Sequence, residues 1–70
     1  VAWQARELVY GWPGIAQRLS RSRAQHYTTS SSGHPVYWLP NLGQFVMIRN
    51  LGSTAGGPFE LTLHTSCPCG

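Results

Sequence analysis

Two short runs of β-forming residues, Pro35-Val-Tyr-Trp-Leu39 and Gln44-Phe-Val-Met-Ile-Arg49, constrain this chain more than any other feature. β-Branched and aromatic side chains suit a pleated surface, and the intervening Pro40-Asn-Leu-Gly43 carries the residue types of a tight turn. The combination predicts a β-hairpin. Further on, Phe59-Glu-Leu-Thr-Leu-His64 alternates apolar and polar residues and is a candidate third strand beside the hairpin, after a flexible Leu51–Pro58 link. Residues 35–64 are thus expected to form a β half, with 65–70 as a tail.

The first thirty residues have a different pattern. Ala2, Trp3, Ala5, Leu8 and Val9 recur at helical spacing, which predicts a short helix from Val1 to about Tyr10. Gly11-Trp-Pro-Gly14 interrupts it, and Pro13 suits the first turn of a second helix that includes Ile15, Ala16 and Leu19. The stretch Ile15-Ala-Gln-Arg-Leu-Ser-Arg-Ser-Arg-Ala-Gln-His-Tyr27 holds three of the five arginines and allows two outcomes. A single continuous helix places Ile15, Leu19 and His26 on one side but carries Arg23 into that apolar face. A break near Ser20–Arg21 lets Ser22-Arg-Ala-Gln25 act as a capping box and start a fresh helix, with Arg21 and Arg23 pointing outward. Thr28–Gly33 then reads as a polar loop. The fold expected is a single small α+β domain over 1–70, with a helical N-terminal half (1–30, helix-turn-helix-like), a β-hairpin wing and a third strand.

Ile15-Ala-Gln-Arg-Leu19, Ser20-Arg-Ser-Arg-Ala-Gln-His-Tyr27, Gly33-His-Pro35, the hairpin and aromatic Phe45 together resemble the winged helix-turn-helix of excisionase and MerR-type DNA-binding proteins. The likeness covers about residues 14–51 and lacks the Gly-apolar pair that makes the turn in that family. It implies Ala16 at a close helix–helix contact, Ser22–Tyr27 as a recognition helix and residues 36–49 as the wing. The residues expected to bind duplex DNA are Arg18, Arg21, Ser22, Arg23, Gln25, Thr28 and Arg49. Arg23 suits guanine and Gln25 suits adenine in the major groove. Arg18, Arg21 and Arg49 are phosphate contacts, with Thr28 or Ser30 as minor ones.

Charge agrees with a polyanionic partner. The net charge is +3 and the isoelectric point about 9.4, with no Lys, no Asp, and only Glu7 and Glu60 as acids. Clustered cations favour phosphates through counterion release. Charged residues make up only 10% of the chain and hydrophobic ones 41%, which also fits a small interaction subunit docked in a larger protein or ribonucleoprotein assembly. Trp3, Trp12, Tyr37, Trp38 and Phe45 are expected as core residues, with Trp38 on the hairpin the exception, able to stack on single-stranded RNA.

Catalysis finds no support in the sequence: two distant glutamates without Asp or Lys offer no paired-carboxylate, Ser-His-Asp or lysine site, so a non-catalytic protein is expected. His64, Cys67 and Cys69 supply three ligands suited to zinc or copper, with His26 or His34 as a fourth. Two cysteines separated by one residue close a disulfide with difficulty, which favours free thiols in a reducing cytoplasm. The longest strongly apolar run, Phe45–Ile48, is too short to cross a bilayer, and no secretory signal pattern opens the sequence.

Overall fold

In a computed structural model that describes residues 2–52 and 56–70, the chain is an antiparallel five-stranded sheet with one helix. The elements in order are β1 (Arg6–Val9), α1 (Trp12–Arg21), β2 (Gln25–Thr29), β3 (Pro35–Leu39), β4 (Gln44–Asn50) and β5 (Phe59–His64). The sheet order is β1-β5-β4-β3-β2. The chain therefore starts at one edge, carries α1 across the sheet to the other edge, and returns as a β2–β3–β4–β5 meander that ends against its own first strand.

The hairpin forms over the expected residues. Its strands pair Val36 with Met47, Tyr37 with Val46, Trp38 with Phe45 and Leu39 with Gln44. At the turn, the N–H groups of Leu42 and Gly43 both donate to the Leu39 carbonyl, and Gly43 sits at φ 63°, where a side chain is disfavoured. β5 also occupies the expected segment and pairs β4 from Phe45↔His64 to Asn50↔Phe59. This hairpin is the middle of a continuous sheet, however, not a wing beside a helical body.

The helical N-terminal half is corrected by the structure. Arg6-Glu-Leu-Val9, expected within a helix, forms an edge strand against β5, with Glu7 and Val9 more buried than Arg6 and Leu8. That period-two alternation overrides the helical spacing because β5 supplies hydrogen-bonding partners for four residues. α1 is ten residues long, preceded by Gly11 at φ 86° and started by Pro13 in its first turn. Among the described residues it is the only helix.

Neither outcome expected for Ile15–Tyr27 occurs. The helix stops at Arg21, and Ser22–Tyr27, the recognition helix implied by the family resemblance, forms a turn and the start of β2. The stop is a Schellman motif: Ala24 N–H donates to Leu19 C=O at 3.0 Å and Arg23 N–H to Ser20 C=O at 3.1 Å. Arg23 takes the left-handed position at φ 54°, where glycine is usual, and Ala24 packs back on the core beside Leu19. Arg18 and Arg21 lie in the last turn, where cations offset the helix dipole. A left-handed conformation costs a non-glycine residue roughly 1–2 kcal/mol. Part of that gain is returned through the more flexible unfolded chain, so Arg23→Gly is expected to stabilise by about 0.5–1 kcal/mol. A thermal melt should then rise by roughly 2–8 °C.

The core lies between α1 and one face of the sheet. Ile15 and Leu19 pack against Leu39, Val46, Ile48, Phe59 and Leu61, with Trp3, Val9, Ala24, Tyr37 and Leu63 at the margin. No helix among the described residues is long and apolar enough to cross a membrane.

Candidate nucleic-acid interface

Side chains alternate between the faces of a strand, and residues paired across strands share a face. The face away from α1 therefore carries Gln25, Val36, Trp38, Phe45, Met47 and Arg49, together with Glu60, Thr62 and His64 of β5 and Arg6 and Leu8 of β1. The β2 register shifts between His26 and Thr28. Such a bulge turns one extra side chain onto a face. Tyr27 arrives there, its ring 4.9 Å from that of Phe45 in an edge-to-face contact. The Trp38 ring, on the strand between Tyr27 and Phe45, lies 4.8 Å from that of Phe45.

Three rings thus stand together on a sheet face that no helix covers. Tyr27 is 57% exposed, while Trp38 and Phe45 are half-buried. Gln25 and His26 join the three rings around an open cavity of about 370 Å³. Aromatic residues on an open sheet face offer flat apolar surfaces of the size of a base, and stacking tolerates any base because each has a π-face.

Charge lies farther along the same face. Glu60 is 2% exposed and held by two arginines: Arg6 Nε donates to one carboxylate oxygen at 2.5 Å, and Arg49 Nη1 to the other at 3.3 Å. Two guanidiniums share one carboxylate, which leaves this part of the face with a net positive charge. Arg49 side-chain exposure is 47%, and only one of its five N–H donors goes to Glu60.

The predicted DNA-binding residues divide into three groups. Gln25, Thr28 and Arg49 belong to the uncovered face or its β2 edge. Arg21 and Arg23 are exposed at the end of α1 and the turn after it, next to β2. Arg18 and Ser22 are engaged internally. The Arg18 guanidinium donates to Glu7 at 2.5 Å and to the Ala2 carbonyl at 3.0 Å, and lies 4.8 Å over the Trp3 ring. Ser22 is buried and accepts the Trp3 indole N–H at 2.7 Å. These two side chains fasten the N-terminal segment to α1. The sequence points to Tyr27 as the end of a recognition helix and to Phe45 as a hairpin aromatic, and to neither as a stacking surface. The Trp38–Phe45 contact follows from hairpin register, but Tyr27 joins it only because β2 is a bulged strand.

The expected metal ligands are otherwise occupied. Cys67 and Cys69 are joined to each other in a disulfide, and His64 Nε2 is 2.9 Å from Thr62 Oγ1. Among the described residues, no three His, Cys, Asp or Glu side chains gather as a metal site would need.

The chain matches no family model, no curated protein and no solved structure, so any function assigned to this face rests on its own residues.

Proposed function

We propose that this protein binds single-stranded nucleic acid on the uncovered face of its sheet, without catalysis. Bases stack on Tyr27, Trp38 and Phe45, and Arg49 and Arg23 meet the phosphates. Gln25, beside the rings, has an amide that donates to and accepts from a base edge. The observation that carries this is the cluster of three rings around an open cavity on the sheet face opposite α1, with the Arg6–Glu60–Arg49 group farther along that face. Buried stacking platforms do not bind, and isolated surface aromatics are ordinary; three joined through Phe45 around a cavity are the unusual feature. A single helix that ends at Arg21 leaves no recognition helix for a duplex major groove, which favours an unpaired strand.

Anisotropy titration of a labelled eight-nucleotide RNA and its DNA counterpart, at two salt concentrations, tests this. Each stacked base is worth about 1–3 kcal/mol, so Tyr27→Ala should weaken binding by roughly 5–150-fold. Because Tyr27 is largely exposed, the variant should keep its fold by circular dichroism. Two neutralised phosphates give a log–log salt slope of about −1.4. Absence of binding at low salt, or unchanged affinity in Tyr27→Ala and Trp38→Ala, rejects the proposal.

A second reading is docking on a larger protein assembly, and one observation favours it. Tyr10, Trp12 and Leu51 are 77%, 48% and 47% exposed. They flank the place where Gly11 approaches the backbone of Gly56. Such an assembly would survive salt that releases a nucleic acid.

A further inference from the structure

We infer that the cavity between the β2–β3 turn and the C-terminal tail is a phosphate-binding site, and that it takes the terminal phosphate of a strand lying on the aromatic face. This rests on the single-strand reading above for the source of the phosphate, but not for the anion chemistry. The cavity has a volume of about 390 Å³ and is lined by Ser30, Ser32, His34 and Arg49, with Met47 and the Pro68–Gly70 tail as its remaining wall. Hydroxyl, imidazole and guanidinium groups are all capable of donating hydrogen bonds to phosphate oxygens, and no Asp or Glu side chain lines the space. Glu60, which is bonded to Arg49, is also held by Arg6.

The donors are held in place before any ligand arrives. Ser30 N–H donates to the His34 carbonyl and Gly33 N–H to the Ser30 carbonyl, both at 2.8 Å. Ser30 Oγ accepts the His34 N–H at 3.1 Å, which leaves its own hydrogen available to donate. Ser30 is only 7% exposed, so this donor faces the cavity instead of bulk water. From the other side, Ser31 Oγ donates to the Gly70 carbonyl at 2.8 Å and pins the tail that closes the wall. Fixed donors avoid the ordering cost that mobile side chains incur on binding.

Position links the cavity to the rings. Phe45 and Arg49 share a face of β4 and lie four residues apart, a separation of about 13 Å at the usual strand rise. Single-strand sites hold about 4–16 nucleotides per domain, so a short strand stacked on the rings reaches the cavity with one end.

The test compares an eight-nucleotide RNA bearing a 5′-phosphate, a 3′-phosphate or hydroxyls at both ends, alongside inorganic phosphate followed by amide chemical shifts. One phosphorylated form should bind about tenfold more tightly than the hydroxyl form, the effect of about 1.4 kcal/mol from charge-assisted hydrogen bonds. Ser32→Ala should reduce that advantage while leaving the affinity of the hydroxyl form within about twofold, whereas Arg49→Gln, which also loses a backbone-phosphate contact, should weaken both forms and abolish the advantage. Arg6 keeps Glu60 paired in Arg49→Gln, and Ser32 is exposed, so neither change should unfold the chain. Inorganic phosphate should shift the amides of residues 30–34 and 49. Equal affinities for all three RNAs, with Tyr27→Ala still weakening them, overturn the terminal-phosphate site and leave the stacking face standing. Phosphate shifts without binding of any RNA keep the anion site and overturn its link to a strand. No shift and no RNA binding overturn both.

Discussion

Replacing Arg6 and Arg49 together by alanine is expected to destabilise the fold by about 3–5 kcal/mol, well beyond the sum of the two single replacements. The cause is Glu60, whose carboxylate is 2% exposed and receives one arginine on each oxygen. Either single variant leaves a guanidinium in place. Both arginines are themselves substantially exposed, at 74% and 47% of the side chain, so losing one partner costs little desolvation. The double variant leaves a buried carboxylate with no countercharge, and an unpaired buried charge is among the few changes that cost this much. Urea unfolding of the wild type, both singles and the double closes the cycle. Additive effects within about 0.5 kcal/mol would show that Glu60 is not sustained by the pair. Adding Glu60→Gln to the double should recover part of the loss, since the amide carries no charge to bury.

Ile15→Ala is the second large effect, expected at about 2–5 kcal/mol. Ile15 is fully buried at the α1–sheet contact, and α1 supplies only one other buried apolar residue, Leu19. A single short helix covers the whole face, so the cavity left by three missing carbons has few neighbours able to collapse into it. Domains of this size have about 3.5–10 kcal/mol in all, so the variant should be partly or wholly unfolded at 37 °C. Leu42→Ala, on an exposed turn, should change stability by less than about 0.5 kcal/mol. Equal losses from the two would mean that α1 does not seat the core through Ile15.

The β half was legible because its signals are local. Pro40-Asn-Leu-Gly43 names a turn, Val, Tyr, Trp and Ile name strands on either side, and Phe59–His64 alternates with period two. The N-terminal half misled for equally local reasons. Leu8 and Val9 fit helical spacing as well as strand alternation, and a four-residue strand carries too few residues to decide between them. What decides is β5, more than fifty residues away. Ser22-Arg-Ala-Gln25 matches a capping box by chance, while the true helix stop puts Arg23 in a left-handed position with no glycine to announce it. β2 is an edge strand, mostly exposed and polar, so its sequence lacks a core-facing pattern.

The candidate site inherits this division. Gln25, Thr28, Arg49 and Trp38 were readable as chemistry but not as neighbours. Tyr27 was readable as neither, because its place beside Phe45 depends on a bulge in a strand read as helix. Within the basic stretch, Arg18 bonds Glu7 and Ser22 accepts the Trp3 indole N–H, contacts with the N-terminal segment that the local sequence does not announce.

The pairing of β1 with β5 also sets the order in which the molecule can assemble. β2 through β5 meet through successive short connections, so their contacts close small loops and can form early. β1 must wait: Arg6 finds Glu60 across a sequence separation of 54, after the meander has built the strand it pairs with. A contact of such long range slows folding and contributes its stabilisation late. The first strand in the sequence is therefore the last to arrive, and the meander has to hold a recognisable shape before its own N-terminus completes it.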